Sequence, residues 1–254
     1  MSRFDWRQFG ALLVLGLLAY VFGLPYTLAL APFGLQPPLT VLFAAVVQTA
    51  ALLVVAIAVG QYFGAPLAFG TPVLDALLRG ESVGARVRRY APRAILWGIG
   101  VGAALVVIDV GLLVLTNRPT VVASLPPLWT RALAAVYGGV FEEILLRFGL
   151  MTFFVWAAWR LAPAEDGGPT DAGVWAAIVL ASLVFGVGHL PITAASGTPI
   201  TPYIVGRALL LNGLAGIVFG WLYWREGILA AMLAHFTADV TLHVVGLTLL
   251  SMVL

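Results

Sequence analysis

Residues 140–147 read Val-Phe-Glu-Glu-Ile-Leu-Leu-Arg, which places three ionisable side chains in a run otherwise apolar enough for a lipid bilayer. A charged side chain at the centre of a membrane helix costs roughly 2.5–3.5 kcal/mol even on the scale derived from insertion experiments. Such a cluster persists where it faces a protein-lined or hydrated interior and has a function there. We therefore expect Glu142, Glu143 and Arg147 to lie inside a helical membrane bundle.

The composition of the whole chain agrees with a membrane location. The 254 residues are 62% hydrophobic and 9% charged, against roughly 45–50% and about 25% in soluble proteins. The mean hydropathy is +1.05. We expect a single membrane-embedded domain over residues 1–254, with the motif-bearing core at about 128–250. Cysteine is absent, which excludes disulfides, thiolate nucleophiles and cysteine-bound metals.

The fold class follows from the apolar segments. A membrane-spanning helix needs roughly 20 apolar residues, and seven segments meet this condition, so the sequence predicts an all-α bundle of about seven transmembrane helices. The first span is expected to be retained and kinked at Pro25. The polar segment 64–92 is expected to hold one amphipathic interfacial helix, and 163–171 an exposed loop. The predicted spans are residues 9–30, 38–61, 93–116, 128–160, 173–190, 202–224 and 227–254.

The arginines predict the orientation of the bundle, because cytoplasmic loops are enriched in basic residues. With a cytoplasmic N-terminus, nine arginines fall in cytoplasmic segments and only Arg118 and Arg131 at the opposite end. The nine are Arg3, Arg7, Arg79, Arg86, Arg88, Arg89, Arg93, Arg160 and Arg225. Arginines at the membrane edges explain the formal net charge of +2. Lipid is therefore an expected partner, and nucleic acid is not.

Several more polar residues are predicted at membrane depth, where each needs a partner. Asp109 is expected to pair with Arg207 or Arg131, and Asn212 to hydrogen-bond between helices. The remaining polar residues predicted within the spans are His189, His235, Asp239 and His243.

Spacing divides the charged cluster into two parts. Glu143 and Arg147 are four residues apart on one helix face, in the favourable order for an ion pair. Glu142 lies ~100° around an α-helix from Glu143, so Arg147 cannot easily serve both carboxylates. That leaves Glu142 as a candidate general base or acid. His235 and Asp239 also share a face, either as a structural pair in the core or as part of a reactive centre.

Two chemical schemes fit these residues. Glu142, His189 and His235 could bind Zn²⁺ with an open position for water. Alternatively, Glu142 and His189 activate water directly while His235 and Asp239 hold the developing oxyanion. Both schemes end in hydrolysis of an acyl bond. The zinc-protease helix His-Glu-x-x-His and the serine elbow Gly-x-Ser-x-Gly are both absent from the chain.

Depth along the helices tests whether these residues can meet. At 1.5 Å per residue, Glu142 lies ~16 Å from Arg131 at one edge and His235 ~12 Å from Gly227 at the other, both near the middle of a ~30 Å core. His189 lies ~24 Å from the start of its span, which places it well beyond the middle of the core, where Glu142 and His235 are expected. We therefore expect a strongly tilted fifth span, or an uncharged segment 191–202 that dips inward or forms a lid.

Three motifs in order resemble the CAAX-protease and bacteriocin-processing family of intramembrane endopeptidases (CPBP or Abi), including its type 2 CAAX prenyl protease branch. The motifs are Glu142-Glu143-x-x-x-Arg147, Phe185-x-x-x-His189 and His235-x-x-x-Asp239, and the resemblance extends over about residues 131–245. Two differences from the family pattern are visible. Asp239 stands where asparagine is common in the prenyl-processing branch, and Arg147 is followed by Phe148 rather than glycine.

The resemblance implies a protease of a membrane-associated peptide or a prenylated protein. In the family's terms, Glu142 activates the attacking water and His189 assists it or ligates a metal. Glu143 and Arg147 form a supporting pair. His235 and Asp239 polarise the scissile carbonyl or complete a metal site. Two alternatives remain at this point: a catalytically silent relative that acts in immunity or binding, and a transporter that uses the same polar residues as a proton relay.

Overall fold

The computed structural model describes residues 4–30, 37–67, 69–116 and 125–252. Within these ranges the chain forms helices and no strand, apart from one isolated bridge between Pro163 and Pro169. Seven helices are long and apolar enough to cross a membrane, which confirms the predicted fold class. The expected end of the last span at Leu254, and Arg3 and Arg118 of the orientation argument, lie outside the described residues.

Nine helices can be labelled in chain order. Seven of them are long, while α3 is a short surface helix and α7 extends α6 after a break at His189. The helices are α1 (Trp6–Ala29), α2 (Leu39–Gly64), α3 (Pro72–Leu78), α4 (Gly84–Thr116), α5 (Leu128–Leu161), α6 (Asp171–Gly188), α7 (Leu190–Ala195), α8 (Pro202–Glu226) and α9 (Ile228–Ser251).

The observed helix boundaries differ from the expected ones in two places. Helix α4 begins at Gly84 and runs through Pro92 instead of starting at residue 93, because hydropathy marks where a helix enters lipid and not where its first polar turns form. Helix α7 occupies the first part of the segment 191–202 that was expected to be a loop. Helix α1 continues through Pro25. The segment 64–92 contains the short helix α3, which buries Val73 and Ala76; its interfacial position stays a prediction.

A tight turn joins α8 to α9, as the three polar residues 225–227 predict. Gly227 ends α8 with φ of 94°, a backbone conformation that glycine adopts without steric cost. Arg93 of α4 forms an ion pair with Glu226 at this turn. The turn therefore fixes α9 against α8 and α4 at one end of the bundle.

Helices α4 and α9 approach each other closely through two glycines of α4. A Cβ atom at Gly98 would lie 2.5 Å from the Ala234 carbonyl oxygen, and one at Gly102 would lie 2.6 Å from the Ala238 carbonyl oxygen. Small residues permit such backbone contacts between membrane helices. While α4 holds this face of α9, a neighbouring face of α9 carries His235, which contacts Glu143 of α5.

Several polar residues at membrane depth form side-chain contacts with neighbouring residues. The Arg207 guanidinium donates two hydrogen bonds to the Asp109 carboxylate. Nε donates to Oδ1 at 2.6 Å, and Nη2 donates to Oδ2 at 2.7 Å. This confirms one of the two expected pairings and links α4 to α8. Arg131 instead donates from Nη1 to the His243 carbonyl oxygen at 2.7 Å. The interhelical bond expected of Asn212 was wrong, since its amide donates to Ala208 of the same helix.

Breaking the Asp109–Arg207 pair should loosen α4 against α8. We expect Asp109→Asn and Arg207→Gln each to lower the free energy of unfolding by about 1–3 kcal/mol, the range for hydrogen bonds to charged groups. The double variant should lose less than the sum of the two single losses, because each single change already removes the same contact. Unfolding in mixed micelles measures all three, and strictly additive losses would contradict the pairing.

Candidate active site

Helix α5 departs from α-helical winding where the charged cluster lies. Residues Tyr137–Glu142 and Ile144–Met151 are wound as π-helix, the wider form with i→i+5 hydrogen bonds that is common at functional sites. The two neighbouring carboxylates, Glu142 and Glu143, consequently both reach His235 of α9. Regular α-helical angles would place the two carboxylates ~100° apart around α5, so this convergence was not predicted.

Glu143 is the buried anchor of the site. Its side chain is 0% exposed, and its Oε1 lies 3.0 Å from Arg147 Nη1 and 2.8 Å from His235 Nδ1. Arg147 is 1% exposed and donates from Nη2 to the Gly216 carbonyl oxygen at 3.2 Å. The expected ion pair is present, and within the described residues Arg147 forms no ion pair with Glu142. One carboxylate oxygen therefore serves both a guanidinium and an imidazole.

One hydrogen bond and two aromatic contacts fix the position of the His235 imidazole ring. Its Nδ1 donates to Glu143, which fixes the ring orientation and leaves Nε2 facing the other way. The Phe219 ring stacks on the imidazole with centroids 4.5 Å apart and planes 20° apart. The Phe185 ring meets it edge-on at 5.6 Å. The imidazole is thus locked by one hydrogen bond and two aromatic contacts.

Two further carboxylates face the remaining nitrogen of His235. Glu142 Oε2 and Asp239 Oδ2 each lie 3.7 Å from Nε2. Both side chains are 19% exposed, in contrast to Glu143. A separation of 3.7 Å is too long for a direct hydrogen bond, and it is a spacing that a bridging water can span. The three groups surround a point where a water molecule can be held and deprotonated.

Two glycines that sequence reasoning overlooked bring α5 against this group. A Cβ atom at Gly138 would lie 2.3 Å from Asp239 Oδ2 and 3.1 Å from His235 Nε2. One at Gly139 would lie 2.8 Å from Phe236 Cβ. A glycine pair one helical turn before the two glutamates was the signal in the sequence that α9 approaches here without an intervening side chain.

His189 lies beside the site and not within the carboxylate group. Its Nδ1 donates to the Phe185 carbonyl oxygen at 2.9 Å, and its ring meets the Phe185 ring at 4.8 Å. Because the same phenyl ring also contacts His235, the two histidines lie on a common aromatic partner. The helix break after Gly188 ends α6 at this position. Phe185 therefore links His189 to His235, and the strong tilt of the fifth span stays a prediction.

The predicted zinc ligands were Glu142, His189 and His235. Among the described residues no three His, Asp or Glu side chains are gathered as metal ligands. His189 also uses Nδ1 for the Phe185 carbonyl. The donor set as arranged does not fit a zinc ion, and no step below passes through one.

Comparison with known proteins agrees with the motif resemblance. The family model described as Rce1-like, Type II CAAX prenyl endopeptidase Rce1-like, matches residues 124–241. This segment contains the three motifs and every side chain of the group around His235. The resemblance to the CAAX-protease family is thereby confirmed, and it supports a membrane endopeptidase. A search of the curated proteins and a search of the solved structures each returned no match.

A methyl group at position 138 should disturb the site without unfolding the protein. We expect Gly138→Ala to displace the Asp239 carboxylate and the His235 ring, and so to lower kcat for peptide cleavage at least about 10-fold, since misplacement by 1 Å can cost 100-fold. Gly100→Ala is the matched control, because a Cβ atom there meets nothing within 4 Å. Equal activity of the two variants would contradict the geometry described here.

Proposed function

We propose that this protein is an intramembrane endopeptidase that hydrolyses a peptide bond of a membrane-associated or lipidated substrate, using a water molecule activated by Glu142. The observation that carries the proposal is the placement of Glu142 and Asp239 at 3.7 Å from His235 Nε2. The match of residues 124–241 to a CAAX prenyl endopeptidase family supports the reaction class.

The first half of the reaction begins with water between Glu142 and His235. Glu142 takes a proton as the water oxygen adds to the scissile carbonyl carbon, whose C=O electron pair moves onto oxygen. The resulting oxyanion lies on the side of His235 and Asp239. There it accepts a hydrogen bond from Nε2–H of the imidazolium or from a protonated Asp239. A protonated Asp239 supplies the donor that an asparagine side chain would otherwise provide.

In the second half of the reaction, Glu142 passes the proton taken from water to the leaving group. The carbon–nitrogen bond breaks as the carbonyl re-forms, and Glu142 delivers its proton to the departing amine. The products are a new carboxylate and a new amino terminus, and Glu142 is again ionised. We assign His189 an assisting role, since the Nδ1 bond to Phe185 leaves its Nε2 available to carry protons.

Glu143 and Arg147 act as positioning residues in this proposal. Both are fully buried: Glu143 contacts His235, and Arg147 contacts Glu143. Removing either would leave the other charge unpaired in a dry interior, which is costly. Their role is to hold the imidazole so that Nε2 faces the substrate.

The substrate is proposed to reach the site from the membrane. The group lies in a chain whose described part contains seven helices long and apolar enough to cross a membrane, so a peptide anchored in lipid is the expected substrate. A peptide that carries a prenyl chain, or a membrane-embedded peptide, is the expected partner. A cytoplasmic N-terminus remains the prediction from the arginine distribution.

Substituting Glu142 tests the proposed base. We expect Glu142→Gln to lower kcat about 10²–10⁴-fold, the usual contribution of a general base. The thermal unfolding of this variant should match the wild type, because Glu142 is partly exposed and is not part of the buried ion pair. The assay is cleavage of an S-farnesylated fluorogenic peptide in liposomes. Glu165→Gln in the exposed loop is the control. Cleavage by Glu142→Gln at the wild-type rate would overturn the assignment.

Chelation tests the metal-free scheme. We expect kcat to be unchanged after exhaustive treatment with EDTA and a membrane-permeant chelator, because the described side chains form no three-ligand set. The measurement is the rate of peptide cleavage before and after treatment, with the metal content of the sample followed by mass spectrometry. Loss of activity that added Zn²⁺ restores would contradict the scheme.

A further inference from the structure

Arg131 is a buried cation of the spans that has no acidic partner among the described residues. Its side chain belongs to a residue only 6% exposed. Arg147 is paired with Glu143 and Arg207 with Asp109, whereas the one side-chain hydrogen bond of Arg131 within the described residues goes to the backbone carbonyl of His243. An unpaired guanidinium inside a membrane protein is expensive and usually marks a functional site.

The free part of this guanidinium has a defined shape. Nη1 is used for His243, while Nε is buried and makes no hydrogen bond within the described residues. The edge formed by Nε and Nη2 is therefore available. The same edge of Arg207 holds the Asp109 carboxylate at 2.6 and 2.7 Å. A planar edge of this kind binds a carboxylate with two parallel hydrogen bonds.

The surroundings of Arg131 connect it to the reactive group. His243 Nδ1 is likewise buried without a hydrogen-bond partner in the described chain. The Tyr26 ring lies 6.3 Å from the His243 ring, and Tyr26 is within electrostatic range of both Arg131 and Asp239. Two buried side-chain nitrogens without a hydrogen-bond partner in the described chain thus belong to residues that contact each other.

The spacing from this anion site to the reactive group suits a short peptide. His243 follows Asp239 by four residues on α9, which is roughly 6 Å along a helix axis, and Arg131 lies 2.7 Å from the His243 carbonyl oxygen. Two or three residues of extended chain reach roughly 7–11 Å. A carboxylate held at Arg131 would therefore leave a peptide bond two or three residues upstream near His235 Nε2.

We propose that Arg131, assisted by His243, binds the C-terminal carboxylate of the substrate and so restricts cleavage to a bond close to a free C-terminus. This inference rests on the proposed peptidase function and adds a specificity-determining residue to it. Arg131 selects the substrate and sets which bond is cut, and it takes no part in the proton transfers at Glu142.

The test compares two substrates that differ only at their C-terminus. One S-farnesylated peptide ends in a free carboxylate three residues after the farnesyl-cysteine, and the other ends in a carboxamide. We expect kcat/KM of the wild type to favour the acid about 10- to 100-fold, the value of a charge-assisted pair. Arg131→Gln should lose this preference and cleave the acid no faster than the amide. Arg160→Gln, an exposed arginine of the same helix, should keep the preference.

The possible outcomes separate the two proposals. Equal cleavage of acid and amide by the wild type would overturn the inference and leave the peptidase function intact. A parallel loss on both substrates in Arg131→Gln would assign Arg131 a structural role and also overturn it. Failure of the folded wild type to cleave either peptide would refute the proposed function itself and this inference with it.

A substrate-side change covers the case in which Arg131→Gln does not fold. Extending the peptide by five residues moves its carboxylate away from Arg131 while the farnesyl-cysteine stays in place. We expect the wild type to lose the acid preference on this longer peptide. An acid preference that persists in the longer peptide would overturn the inference.

Discussion

The Glu143 carboxylate lies in a dry interior and binds Arg147 at 3.0 Å and His235 at 2.8 Å. Burying these charges is costly, and the cost is offset because one acid contacts a cation on its own helix and an imidazole on α9. Arg147 also reaches the backbone of α8 at Gly216. These contacts fix the positions of α5, α8 and α9 relative to one another at the depth where the chemistry is proposed. The orientation of His235 follows from these fixed positions.

Two adjacent glutamates have different environments for a physical reason. Glu143 is 0% exposed and makes close polar contacts, whereas Glu142 is 19% exposed and stands 3.7 Å from His235 Nε2. A carboxylate engaged in an ion pair is a poor base, while one with water access and no direct partner can accept a proton. The absent side chain at Gly138 keeps room for Asp239 on the same side. The proposed roles of the two neighbours, positioning for Glu143 and water activation for Glu142, follow from these environments.

Local patterns predicted much of this arrangement. Apolar length predicted the seven spans, four-residue spacing predicted the Glu143–Arg147 pair, and the need for partners in lipid predicted the Asp109–Arg207 pair. The contact between Glu143 and His235 could not be predicted in this way, because it joins residues 92 apart through the packing of two helices. The π-helical winding of α5 was likewise not predicted from the sequence. Regular α-helical angles place Glu142 and Glu143 ~100° apart, whereas both side chains approach His235.

The central claim is that Glu142 activates water and does not itself attack the peptide bond. A single turnover in H₂¹⁸O, with mass spectrometry of both the peptide product and the digested protein, tests it directly. The account predicts one ¹⁸O atom in the new carboxylate of the product and none in the Glu142 side chain. Incorporation of ¹⁸O into Glu142 would show a covalent acyl intermediate on that residue, and this result would contradict the account.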